Sequence, residues 1–290
     1  MNIKTINFSQ LKKTVLGTVA AIGICTLGFS GMSQVVEASA VNQTKTIPTK
    51  YSTAVNQAQP NQVPAGYVKA AYQTKLSEFS GQPGIQDLSM EKAAEIGAQN
   101  LWKFFGVDLT GKTIDMSYYT PTDSSPRAQW EGIIFINKVP SYSFSVDAIT
   151  GEYRTVGQEK YWTGNINTGM DKELIENHGQ YAALAKKVAE KFQVVSGQIV
   201  SVQYAGQGMS SFKDVGVNSD ISMIVKSDNG QQAQLKFSRY NQELLDVAYD
   251  PWVKEARAYE QQIEKEMQER AAKSVKPSQQ GVELKLVPSN

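Results

Sequence analysis

Between Ser89 and Tyr249 the hydrophobic positions twice pass from helical spacing to alternation, in the same order. Ala94, Ala98, Leu101 and Phe105, with Ala93, Gly97 and Phe104 beside them, recur at the spacing that gives a helix one apolar face. Ser89 stands where a hydroxyl can cap the start, and Gly106 ends the run. Lys112 to Tyr119 then predicts a strand, Pro121 to Pro126 a loop, and Arg127 to Asn137 a second strand. The Ile133-Ile134-Phe135-Ile136 run within it predicts burial on both faces. Tyr142, Phe144 and Val146 alternate on a third strand, and Tyr153 continues into a fourth.

The second passage is less regular. Tyr181, Leu184, Ala185, Val188 and Phe192 form a stripe that stops near Gly197. Ile199 to Tyr204, Ile221 to Lys226, Gln234 to Phe237 and Glu243 to Tyr249 predict strands. Gly206 to Ser210 reads as a flexible connection, and Asp228-Asn229-Gly230 as a hairpin turn, because Asn-Gly readily takes positive φ. Val146 to Glu152 and Phe237 to Glu243 occupy equivalent places. The pattern predicts a tandem repeat, each unit a helix packed on a small antiparallel sheet; two unrelated α+β segments are the alternative.

Asp250-Pro251 is a cap with proline at the first helical position. The helix it opens, to about Lys273, carries a narrow stripe of Val253, Ala256, Tyr259 or Glu260, Ile263 and Met267. Such a stripe docks on the protein's own body or pairs with a partner helix. Lys276 to Gln280 reads as a linker and Val282 to Leu286 as a short edge strand. Upstream, Tyr67 to Phe79 predicts a short helix, stopped by Gly81-Gln82-Pro83-Gly84. The expected organisation is a signal peptide over 1–40, a disordered tether over 41–64, a first repeat unit over 65–160, a second over 161–249, and the C-terminal helix and tail over 250–290.

The signal reading rests on Lys12 and Lys13, the uncharged run from Val15 to Met32, and the small-residue site Ala38-Ser39-Ala40. An uncleaved anchor is the competing reading, and only then would the chain hold a membrane. The one cysteine, Cys25, lies in this segment, so the expected exported chain has no disulfide, thiolate or cysteine–metal chemistry. Losing Lys4, Lys12, Lys13 and Glu37 leaves the chain close to neutral, with no electrostatic case for nucleic acid. The expected location is the envelope or surroundings of a bacterium.

Chemistry is sparse. His178 is the sole histidine, which argues against hydrolytic triads and zinc. No calcium loop or phosphate loop stands out, and no cofactor is expected. Asp214 and Asp220 read as surface carboxylates. Glu131 beside Trp130 is the one acid with an argument for a raised pKa, although alternation sends it to solvent. Tyr118, Trp130, Tyr142, Tyr153, Tyr161 and Trp162 are the candidate binding residues, since such rings bury large area at small entropic cost. Ordinary packing of the strands competes with that reading.

The helix from Ser89 to Phe105, followed by strands ending in Tyr142, Phe144, Val146, Asp147, Ala148, Thr150, Gly151 and Glu152, resembles the PepSY module. That module occurs in propeptides of secreted metallopeptidases and in bacterial envelope proteins. The second unit departs from it, with Ser238-Arg239-Tyr240-Asn241-Gln242 in place of the turn. The resemblance implies two PepSY-like units plus a long C-terminal helix, in a non-enzymatic protein. It also implies a protein partner: a secreted peptidase that the chain restrains, or another envelope protein. Alternatives are a structural assembly factor of envelope or spore acting through the C-terminal helix, and a glycan hydrolase using Glu131. Asp147 is expected to hold its own turn by accepting from backbone amides, with Gly151 supplying positive φ; ligand binding by Asp147 is the alternative.

Overall fold

A computed structural model describes residues 63–122, 125–164 and 166–274. The expected signal segment, nearly all of the tether and the Val282 to Leu286 strand lie outside the described residues. Along the chain come β1 (Gln73–Leu76), α1 (Met90–Phe105), β2 (Thr113–Tyr119), β3 (Gln129–Ile136), β4 (Val139–Asp147) and β5 (Tyr153–Gln158). Then follow α2 (Lys172–Glu176), α3 (Gly179–Phe192), β6 (Ile199–Phe212), β7 (Gly216–Ser227), β8 (Gln232–Ser238), β9 (Leu244–Ala248) and α4 (Asp250–Ser274). The architecture is mixed α+β, with four helices among the described residues.

The strands form one sheet of nine, in the order β1-β2-β3-β4-β5-β9-β8-β7-β6. This corrects the expectation of two small separate sheets. The halves join where β5 meets β9 antiparallel, through Thr155↔Ala248, Val156↔Val247 and Gly157↔Asp246. Gly157 is needed at that seam: a Cβ there would lie 2.8 Å from Asp246 Oδ2 and 3.2 Å from Leu245 O.

Two further expectations are corrected. Residues 73–76 are a strand, not part of a helix, because the open edge of β2 offers parallel pairing from Gln73↔Thr113 to Leu76↔Met116. Gly206 to Ser210 is not a connection but the middle of β6, in register with Asn218 to Ser222 of β7.

One face of the sheet carries the core. Met116, Gly132, Phe144 and Val156 run across the first half in register. Val247, Leu235, Met223 and Tyr204 continue the row across the second. Helix α1 covers the first half. Ser89 Oγ accepts from Lys92 N at 3.3 Å, and Gly106 closes the helix in the left-handed region at φ 63°. Phe144 is locked between that helix and the sheet: a Cβ on Gly97 or on Gly132 would lie 2.2 Å from its ring. Helix α3 covers the second half with Tyr181, Ala185 and Ala189, and Phe192 meets Phe104 of α1 at 4.7 Å between ring centroids.

The opposite face takes the first turns of α4, where Val253 and Ala256 are buried. An ionic clasp holds this end. Glu255 Oε1 accepts from Arg127 Nε at 3.0 Å, and Glu255 Oε2 accepts from Arg154 Nη2 at 2.8 Å. Arg154 is itself buried and lies 5.0 Å from the Trp252 ring. From Gln261 to Ala271 every residue of α4 is exposed, so docking explains only the helix start. None of the helices among the described residues is long and apolar enough to cross a membrane.

Candidate functional site

The α4 face of the sheet is polar. Alternation places Glu131, Ser143, Ser145, Thr155, Gln234, Lys236 and Asp246 on it. With Trp252, Val253, Ala256 and Arg257 of α4 they line a cavity of about 100 Å³. That volume holds a few waters or the end of a side chain, and is well short of the several hundred Å³ of an ordinary small-molecule pocket. Ser145 Oγ and Thr155 Oγ1 share a hydrogen bond of 2.8 Å across the first half.

Beyond the cavity the same face gathers charge. Residues after β5 cross toward β7: Glu159 Oε2 accepts from Ser210 Oγ at 3.2 Å, and Trp162 exchanges backbone hydrogen bonds with Val217. Glu159, Asp220 and Asp246 thus surround Lys236. Burial raises the pKa of all three, with the Lys236 ammonium opposing it; Asp246 is pushed up to about 6, with Asp220 adding to the rise. Burial raises Glu131 too, against the Tyr119 hydroxyl. Among the described residues no group of three or more His, Cys, Asp or Glu is placed to hold a metal ion.

The sequence candidates scatter. Trp130 is buried in the core with Nε1 donating to Leu88 O at 2.8 Å, and Tyr118 is buried with its hydroxyl donating to Asp87 Oδ2 at 2.6 Å. Neither offers a contact surface. Tyr142 is half-buried against the core, and Tyr153 half-buried against Tyr249 at 5.6 Å. Tyr161 and Trp162 lie together on the crossing segment, half-buried against Phe212 at 6.0 Å and Tyr240 at 5.3 Å. His178 sits at the α3 start without capping it through its side chain; its Nδ1 is 2.9 Å from Ile175 O.

Two carboxylate expectations change. Asp220 is buried rather than at the surface. Glu131 does leave the core face, as alternation requires, but reaches a half-buried groove instead of solvent; Trp130 points the other way, so burial and not the indole raises its pKa. Asp147 behaves as expected, with Oδ1 accepting from Ile149 N at 2.9 Å and Thr150 N at 2.8 Å, and Gly151 at φ 75°. Sequence reasoning passed over Lys236 and Asp246. Their signal was a charge inside an apolar strand, Leu235-Lys236-Phe237 and Leu245-Asp246-Val247.

The sheet's two ends differ. β1 is short and carries Lys75. β6 runs for 14 residues, pairs among the described residues only with β7, and contains no Asp, Glu, Lys, Arg or Pro. Val200 and Met209 on it are more than half exposed.

No protein-family model matches the chain, and no curated protein matches it. Among solved structures, the Bacillus megaterium YpeB C-terminal domain is similar over 58% of this chain and 66% of that one, with 11% identity and a TM-score of 0.32. The chain therefore spans just under two thirds of that domain, and the likeness is too distant to argue from.

Proposed function

We propose that the chain is an exported, non-catalytic binding module with two PepSY-like units, which takes an extended segment of a secreted peptidase or other envelope protein along β6. The observation that carries this reading is the long, uncharged edge strand β6. Proteins ordinarily protect a terminal strand with charge, proline or brevity, since its free N–H and C=O groups invite another strand. β6 has no charge, no proline and no brevity over its 14 residues; its irregularities are confined to Ile199/Ser201 and Tyr204/Gly206, which leaves Gly206 to Phe212 in regular register. An added strand gains main-chain hydrogen bonds there, and the exposed Val200 and Met209 give side-chain contact.

The test mixes the purified chain with peptidases secreted by the same cells, and follows both their rates and their comigration on gel filtration. A slowed, comigrating peptidase is expected, with either effect weakened about tenfold or more by Val200→Lys with Met209→Lys. A double variant that acts like the parent would remove the β6 edge from the reading.

A second reading, assembly through α4, is favoured by one feature: Ile263 and Met267 stay exposed on the part of the helix that leaves the body. Sedimentation of the chain with and without residues 261–290 separates the two. A self-associating parent and a monomeric truncation support assembly; two monomers dismiss it.

A further inference from the structure

Hydrogen bonds on the far side of β7 fix which way the main chain of β6 faces. Val217 exchanges both of its main-chain bonds with Trp162, at 2.9 and 3.0 Å, and Ser219 O accepts from Arg239 N at 2.8 Å. Both residues are thereby turned away from β6. Opposite residues of an antiparallel pair alternate between bonding each other and facing outward. Ser211 and Met209, which stand opposite Val217 and Ser219, therefore face the open side, and so does Gln207 two residues earlier. Gly208 turns inward, with its N–H on the Asp220 carboxylate. Gln207, Met209 and Ser211 thus offer a regular row of main-chain donors and acceptors that no strand among the described residues takes up.

This row is complementary to itself. An antiparallel copy centred on Met209 sets Met209 against Met209, Gln207 against Ser211 and Ser211 against Gln207. Each is a pair of outward-facing residues, so each exchanges two main-chain hydrogen bonds. The intervening positions fit as well. Phe212 falls opposite Gly206, where a ring covers a residue without a side chain, and Ser210 falls opposite Gly208. On the other face Met209, 52% exposed, meets its own copy, while the Gln207 carboxamide is already engaged by Asp171 N and O at 2.9 and 2.8 Å. Gly206 to Phe212 contains no charge for a two-fold axis to set against its own copy. Centring on Gln207 would run the pairing into the irregularity at Tyr204/Gly206, and centring on Ser211 would run it past the strand end at Phe212.

We propose that β6 pairs antiparallel with β6 of a second copy of this chain, about a two-fold axis at Met209, and that this pairing closes the edge to other strands. Self-pairing rests on the same premise as partner capture, that the β6 edge accepts a strand, and it decides when that edge is free. A segment this short buries less area than a permanent dimer needs, so the pair forms at high concentration and parts on dilution.

Sedimentation of the full chain from about 1 to about 300 μM should show monomer giving way to dimer. Met209→Pro removes an N–H that faces the open side and leaves the β6–β7 ladder intact, so the dimer should weaken about tenfold or more. The register has its own readout, because hydrogen-bonded opposite residues have Cα atoms about 5.5 Å apart, within disulfide reach. In a Cys25→Ser chain, which has no other thiol, Met209→Cys should cross-link to a dimer under mild oxidation while Ser211→Cys stays monomeric. That comparison keeps the test decisive if Met209→Pro fails to fold. Self-pairing is overturned by a chain monomeric throughout, by a dimer that a folded Met209→Pro leaves unweakened, or by a Met209→Cys chain that cross-links no better than Ser211→Cys. Peptidase capture is scored separately on dilute chain. A chain monomeric at every concentration that still captures a peptidase overturns self-pairing alone; a trapped β6 dimer whose dilute monomer captures none overturns the peptidase alone.

Discussion

The two halves of the sheet put equivalent positions to different use. Phe144 and Leu235 both stand two residues before a turn-flanking apolar residue, Val146 or Phe237, and each turn follows a bulge at the same place. Yet Phe144 lies over Gly132, whereas Leu235 lies beside Met223. A large ring against no side chain and two medium side chains fill similar volume, which is what a core row must conserve. At the seam, Val156 pairs with Val247, and Thr155↔Ala248 is answered by Gly157↔Asp246, a local two-fold relation between β5 and β9. Packing is therefore shared between the halves while residue identity is not. Their α4-side faces differ more, since the second half sets Asp220 and Asp246 around Lys236 where the first carries Ser143, Ser145 and Thr155 beside Glu131.

The largest effects should come from breaking the core row. Phe144→Ala removes a ring held between Gly97 and Gly132 and is expected to cost about 3–5 kcal/mol in urea unfolding. Leu235→Ala should cost about 2–4 kcal/mol. If the order reverses, the glycine-flanked lock is not the tighter half. Gly132→Ala tests the same lock from the other side. Its Cβ would lie 2.2 Å from the Phe144 ring, so about 1–3 kcal/mol should be lost to overpacking. Pairing Gly132→Ala with Phe144→Leu should recover part of that loss, which two independent sites would not do.

The carboxylates of the polar face make stability depend on pH. Asp246, Asp220 and Glu159 have pKa values raised in the folded chain, so folding binds protons at these sites. Their contribution is therefore most favourable below the ordinary carboxylate range, and stability is lost as pH climbs from about 4 through about 6, the value for Asp246. Thermal midpoints for Asp246→Asn should fall less over that interval than those of the parent. A parent whose midpoint rises between pH 4 and 6, with no difference for Asp246→Asn, would show that these carboxylates do not dominate.

Much of the helix-and-strand content was legible because its signals are local. Ser89 caps and Asn229-Gly230 turns through contacts within a few residues, and Pro251 fits the first turn of its helix by its own fixed φ, although Asp250 Oδ1 accepts from the distant Gln232 N. What could not be read depends on distant partners. Residues 73–76 extend only because β2 has an open edge, with Gln73 N donating to Lys112 O and Ser77 N to Met116 O. Gly206 and Gly208 looked like a connection, yet they persist in β6 because β7 supplies a matching strand. The union into one sheet rests on the short β5–β9 seam, which no periodicity announces. The polar face was hidden for a related reason. Alternation places Lys236 and Asp246 off the core, but only the crossing segment and α4 decide that they are not in water.

The turns give the smallest and sharpest comparison. Ser238 Oγ accepts from Tyr240 N and Asn241 N, as Asp147 Oδ1 accepts from Ile149 N and Thr150 N. Gln242 N donates to Ser238 O, as Gly151 N donates to Asp147 O. The turn geometry thus survives the change from Asp-Ala-Ile-Thr-Gly to Ser-Arg-Tyr-Asn-Gln, at a cost borne by Gln242, which holds φ 63° with a side chain. Left-handed backbone costs a non-glycine residue about 1 kcal/mol, partly offset by the greater freedom of an unfolded glycine. Gln242→Gly should accordingly stabilise by about 0.5 kcal/mol, and Gly151→Gln destabilise by about 1 kcal/mol or more, since its Cβ would meet Ile96 Cδ1 at 3.2 Å. Opposite signs in paired unfolding curves would confirm that the two turns are one geometry in two sequences; a destabilising Gln242→Gly would mean that the glutamine side chain contributes something the turn geometry does not require.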